Sequence, residues 1–130
     1  MLVVRANYFS FGSPPGLFAD EELRHGIHGG EMETSLMLHL KPALVRREAL
    51  ADFRALTHEM GARNGLLGPE KPLGFGWMSQ DLNEHGVCGN AARADAQRGE
   101  ILLAYMADQL AALLTECQST PLTILRDKRD

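Results

Sequence analysis

Between Gly26 and Leu40 the chain reads GIHGGEMETSLMLHL, with His28 five residues ahead of Glu33 and Gly29, Gly30 and Glu31 between them. A carboxylate that accepts a hydrogen bond from one imidazole nitrogen fixes the tautomer and raises the basicity of the other nitrogen. The ring then becomes a proton donor or acceptor near neutral pH. If His28 lies in the glycine turn and Glu33 in the first turn of the helix that follows, the chain can fold back and bring the two together. Glycines suit such a turn because they tolerate left-handed backbone and let a ligand or another segment approach closely. The pattern is also that of an ordinary helix start, where acids favour the N-terminal dipole and a glycine pair marks a turn. Spacing by itself leaves both readings open.

Other residues could join such chemistry. His25 and His28 are three apart, so a helical backbone would turn both to one ion, with Glu31 or Glu33 adding oxygen. Gly26, Gly29 and Gly30 oppose a regular helix there. His58 is expected on a solvated helix face, and Cys88 as a small buried residue. Trp77, Ser79, Gln80 and Asp81 in GFGWMSQDL would line a pocket or simply belong to a strand and turn. Cys88 and Cys117 are expected as free thiols, and Ser10 and Ser13 lack the context of a nucleophile.

The elements that must position these residues follow from periodicity and punctuation. Leu2 to Phe11 is rich in β-branched and aromatic residues and predicts the one firm strand, stopped by GSPPG. LFADEELRHG predicts a short helix with Asp20, Glu21 and Glu22 in its first turn and Gly26 ending it. Met32, Leu36 and Leu40 recur at helical spacing, so a helix runs from Glu31 to about Leu40, limited by Pro42. Leu50, Phe53, Leu56 and Met60 predict another from Arg46 to about Ala62. Residues 64–89 read as loop, with a short strand in GFGWMSQDL. Asn90 then caps a long helix whose stripe is Leu102, Met106, Leu110, Leu113 and Cys117, weakened or divided at Gly99. A lone strand cannot leave its backbone groups unpaired, so its sheet partners must come from other chain segments or subunits.

The bulk numbers are those of one ordinary domain: 130 residues, 45% hydrophobic and 23% charged. A net charge of −4 with dispersed basic residues speaks against nucleic acid as partner. No apolar stretch approaches the roughly 20 residues of a membrane span, and the start MLVVRANYF is unlike a signal peptide. The expectation is a cytoplasmic chain with no membrane partner.

GIHGGEMETSLMLHLKPALV resembles the signature region of the creatininase family, the creatinine amidohydrolases, where an H-[AG]-G segment leads into E-T-S and an apolar helix ending at a proline. The likeness extends upstream to VVRANYF and more loosely to GVCGNAARADAQRGEILL, so it spans Leu2 to about Cys117. It implies a three-layer α/β/α fold with a parallel sheet, of α/β class. It also implies a homo-oligomer, often a hexamer, and hydrolysis of a small-molecule amide C–N bond at divalent metal ions, zinc or manganese. By that resemblance His28 matches the proton-transferring histidine and Glu33 the glutamate that orients it, while Glu31 is not a fixed position. Gly29, Gly30 and His25 are expected to lie against the substrate.

The family's metal-binding segments, an E-x-H with a following aspartate and an N-G-H-G-G-N-like run, do not occur in this sequence. The resemblance is therefore to the C-terminal half: residues 1–118 as a creatininase-like domain without the metal-binding half, and 119–130 as a polar tail. No metal ligand is assigned. In creatininases proper a Trp-Asp pair precedes the histidine where this chain has Arg24 and His25, which makes creatinine itself a poor candidate. The expected function is a metal-dependent amidohydrolase present as a partial chain, with His28 and Glu33 as its proton-transfer pair. The alternative is a non-catalytic assembly or binding module derived from such an enzyme.

Overall fold

A computed structural model of the chain describes residues 1–63, 66–69 and 73–126. Five helices, α1 (Asp20–His25), α2 (Glu31–Leu40), α3 (Leu56–Arg63), α4 (Ser79–Leu82) and α5 (Ala96–Ser119), alternate with four short strands among the described residues. The strands are β1 (Asp52–Phe53), β2 (Leu67–Gly68), β3 (Leu73–Gly74) and β4 (Gly89–Asn90). β1 pairs antiparallel with β4, Asp52 opposite Asn90 and Phe53 opposite Gly89, and β2 pairs parallel with β3. The chain is of mixed α/β class, as expected.

The packing of α2 on α5 forms the principal core. Leu102 is fully buried, joined by Phe18 and Met106, with Leu17, Met32, Leu36 and Tyr105 packed around them. Each such side chain contributes roughly 1.5–3 kcal/mol by leaving water. Gly99 does not divide α5. It is buried where α5 crosses α2, and a Cβ there would lie 2.0 Å from the Ser35 carbonyl oxygen. The glycine expected to weaken the helix is what lets the two helices meet. A second core gathers Ala55, Leu82 and Cys88 with Ile27, Leu56 and Trp77 beneath the strands.

α1 and α2 have the bounds their punctuation predicts, with Gly26 after α1 and Pro42 opening a tighter turn beyond α2. Other expectations are corrected. No strand forms over Leu2–Phe11: Tyr8–Phe11 makes a 3₁₀ turn, capped by the Asn7 side chain accepting from the Phe9 N–H at 3.0 Å. Val3, Val4 and Phe9 stay exposed, because strand propensity needs a partner and none of the described strands pairs with this segment. The helix expected from Arg46 to Ala62 is shortened to α3, preceded by a turn at Arg47–Ala49 and by β1. The pairing of Phe53 with Gly89 overrides the local helical spacing.

In GFGWMSQDL the structure has Gly74 ending β3 and then the helical turn α4, whose start is held by Asp81 accepting the Met78 N–H at 2.8 Å. Asn90 belongs to β4, so the cap of α5 is instead Asp95, which accepts the Arg98 N–H at 2.9 Å. That backbone bond, and the Arg98 guanidinium, hold the Asp95 carboxyl below the usual carboxylate range. Leu102 and Met106 of the expected stripe are buried, Leu113 and Cys117 half-buried, and Leu110 exposed. Both cysteines are free. Residues 64, 65 and 70–72 of the expected loop, and 127–130 of the tail, lie outside the described residues.

Candidate active site

The turn before α2 is built by backbone pairing and by glycine. His28 donates its N–H to the Cys88 carbonyl at 3.3 Å and accepts the Cys88 N–H on its own carbonyl at 2.7 Å. That bridge pins the His28 backbone while its side chain stays exposed. Gly29 follows at φ +66°, a left-handed conformation that strains other residues. Its carbonyl accepts from Thr34 Oγ1 at 3.0 Å, and its N–H donates to Glu33 Oε2.

Glu33 sits at the third position of α2, from which a side chain naturally reaches back to the N–H groups ahead of the helix. Its second oxygen, Oε1, accepts from the Tyr8 hydroxyl at 3.0 Å. Burial, and then the charge and hydrogen bond of Glu33, push the Tyr8 phenol up to about 12. The direct meeting of carboxylate and imidazole expected from the spacing is thus replaced by an indirect one. Glu33 holds the backbone N–H of Gly29, the residue next to His28, and not the imidazole itself.

Gly30, the other glycine of the pair, is buried against Gly89. A Cβ on Gly30 would stand 3.0 Å from Gly89 Cα and 2.2 Å from Glu22 Oε1. A Cβ on Gly89 would stand 2.7 Å from Gly30 Cα and 2.9 Å from Gly26 Cα. Three glycines therefore close around one carboxylate, that of Glu22, which is 6% exposed. Its Oε1 accepts the Glu31 N–H at 2.6 Å and its Oε2 the Asn90 N–H at 2.8 Å. Gly30 has no side chain with which to cap α2, and Glu22 supplies the missing acceptor and the negative charge that the helix start favours. Sequence reasoning missed this residue because it stands third in a run of three acids. Glycines at 26, 30 and 89 were the signal, but only folding brings them together.

Glu31, 1% exposed, does more than begin a helix. Its Oε1 is ion-paired with the Arg98 guanidinium, and Arg93 Nε lies 3.8 Å away. His25 stacks on His58 with ring centroids 4.1 Å apart, and His58 in turn meets Ala55 O at 3.0 Å and Glu21 Oε1 at 3.2 Å. His58 is therefore not on a solvated face, since its side chain is 11% exposed. Burial first, then the neighbouring His58 and Arg24, push the His25 ring down from its ordinary pKa. Trp77 packs in the second core and donates to Pro69 O at 2.8 Å.

Two open cavities border Glu33. One of ≈ 640 Å³ is lined by Gly29, Glu33, Met37, Val45, Phe53 and Val87, and the other, ≈ 680 Å³, by Asn7, Phe9, Leu23, Ile27, Met32 and Glu33. His25 instead lines a smaller polar cavity with Glu22 and Glu31. Of the candidate donors, His28 is exposed, His25 stacks on His58, one oxygen of Glu31 is ion-paired with Arg98, and both oxygens of Glu33 accept hydrogen bonds. Among the described residues, no three or more His, Cys, Asp or Glu side chains gather to hold a metal ion. These donors do not fit a divalent metal.

The chain is of mixed α/β class, and its sequence matches one enzyme family over most of its length. The model of the family described as creatininase, creatinine amidohydrolase, matches residues 1–114, and the chain belongs to the creatininase family. A solved structure of a candidate creatinine amidohydrolase from Bacteroides fragilis NCTC 9343 is similar, with a TM-score of 0.68 and 27% identity. The match covers 93% of this chain and 45% of that one, so the chain spans less than half the length of this relative. No curated protein matches the sequence. Among the described residues no helix is long and apolar enough to cross a membrane.

Proposed function

We propose that the chain supplies the proton-handling part of a creatininase-type hydrolase acting on a small amide, with His28 as the proton-transfer residue and Glu33 as its positioning residue. The observation that supports this most is the fixing of His28. Two backbone bonds to Cys88 and the Gly29 N–H held by Glu33 immobilise the turn, yet leave the imidazole facing outward. Hydrolysis of an amide adds water across the C–N bond, and the nitrogen cannot leave until it has gained a proton. His28 as imidazolium gives that proton to the nitrogen as the bond breaks and regains one from the water consumed. Gly29 stands beside it on the wall of the ≈ 640 Å³ cavity, where the amide would lie.

Family membership supports dependence on divalent metal, zinc or manganese, with its ligands outside the described residues. Exposed Leu44, Leu110 and Leu114 support a homo-oligomer or a further segment of the fold covering these faces. The test is metal content together with hydrolysis of a panel of cyclic amides and formamides in the presence of zinc or manganese. An active preparation should lose roughly 10²–10⁴-fold in turnover with His28→Ala and keep its metal. A protein that remains metal-free and inactive across the panel would instead be the assembly or binding module.

A further inference from the structure

On the other side of the glycine turn lies the polar cavity, ≈ 70 Å³, whose lining includes the carboxylates of Glu21, Glu22, Glu31 and Asp52. Three further atoms on residues that line it are buried and have no hydrogen-bond partner: Glu31 Oε2, Asn90 Oδ1 and His25 Nδ1. Buried polar atoms are nearly always partnered, and an orphaned carboxylate oxygen is among the most costly exceptions. Three at one cavity call for an occupant.

The occupant must donate. Glu31 Oε2 and Asn90 Oδ1 are acceptors by nature, and His25 Nδ1 accepts in the neutral tautomer whose proton is on Nε2, the neutral ring being the state that its burial and its neighbours favour. The charge balance also asks for a cation. Four carboxylates, Glu21, Glu22, Glu31 and Asp52, line the cavity against two guanidiniums, Arg54 and Arg93, and the Arg98 guanidinium paired with Glu31 is shared with Asp95. Arg93 stands farther off, with its side chain 60% exposed. A divalent ion lacks a donor cluster here. Alkali ions are hard cations that prefer oxygen donors, whereas a ring nitrogen is a natural acceptor for N–H. The geometry points to a binding site for a small ammonium-type cation, ammonium or methylammonium, held by Glu31 Oε2, Asn90 Oδ1 and His25 Nδ1. The site is separate from the proposed role of His28 and stands or falls without it.

Thermal unfolding of the whole chain in ammonium, methylammonium, potassium and sodium chloride at one ionic strength tests this. Ammonium should give a saturable rise in Tm of about 6 °C at tenfold excess over Kd, with sodium and potassium giving none. His25→Phe keeps a ring on His58 but removes the acceptor, and Asn90→Ala removes the side-chain carbonyl while keeping the backbone N–H that serves Glu22. Each should weaken ammonium at least tenfold. Glu31→Gln is the less useful variant, because it deprives Arg98 of its buried charged partner and endangers the fold. No rise in Tm, an equal rise in sodium or potassium, or a rise unchanged in both variants would overturn the assignment.

Discussion

Replacing Gly99 by alanine sets two effects of opposite sign against each other. Local propensity favours the change, since alanine inside a helix is better than glycine by about 1 kcal/mol. Packing opposes it. The new Cβ would lie 2.0 Å from Ser35 O, 2.5 Å from Ser35 C and 3.0 Å from Leu36 N, all backbone atoms that cannot rotate away. Relief requires α2 and α5 to part by roughly 1 Å, which forfeits about a quarter to a half of the contact energy across the seam. Phe18, Leu102 and Met106 supply that energy at roughly 1.5–3 kcal/mol each, so the loss is about 2 kcal/mol. The Asp95 N–H bond to Ser35 Oγ, 3.1 Å long, also stretches, for about 1 kcal/mol more. The net prediction is destabilisation by about 2 kcal/mol, or roughly 8 °C in Tm. Urea denaturation should show a lower midpoint at unchanged slope. Gly61→Ala is the control, because its Cβ would meet only His25 Cε1 at an ordinary 3.9 Å. Within α3 that change should stabilise by about 0.5–1 kcal/mol. A Gly99→Ala chain as stable as the parent would refute the close-packed seam.

Two further outcomes follow from the site. Glu22→Gln keeps one acceptor but turns an amide N–H₂ toward a buried backbone N–H, and should cost about 3 kcal/mol in urea denaturation; Glu21→Gln, which removes only an exposed partner of His58, should cost under about 1 kcal/mol. Tyr8 should titrate near 12 rather than 10, read as the difference in phenolate absorbance between the parent and Tyr8→Phe. Because folding raises this pKa, its stabilisation is complete below pH 10 and is lost as pH climbs through 12. Glu33→Gln should return it toward 10, and a Tyr8 that already titrates at 10 would remove the contact.

The legible parts of the fold were those with local punctuation. Gly26 and Pro42 are written into the chain beside the ends they define, so α1 and α2 could be bounded from sequence. The rest depended on partners far away in sequence. Phe53 sits at helical spacing but is claimed by Gly89, and Leu2 to Phe11 has strand composition but pairs with none of the described strands. Asn90 resembles a cap until β1 is known to hold it, which moves the cap to Asp95. In the site, the histidine and glycine turn could be named in advance because they are contiguous. The Glu33 contact to Tyr8, the stack of His25 on His58 and the cage around Glu22 each join separate elements, and spacing along the chain carries no record of them.

Proton transfer by His28 is tested most directly by varying the leaving amine. With His28→Ala in an active, metal-loaded preparation, turnover of an amide with a strongly basic alkylamine leaving group should fall roughly 10²–10⁴-fold, because such a nitrogen must be protonated to depart. An amide of a weakly basic aromatic amine needs that help far less, and its turnover should fall by less than about tenfold. Equal losses on both substrates would contradict a general-acid role for His28 and leave it a binding residue.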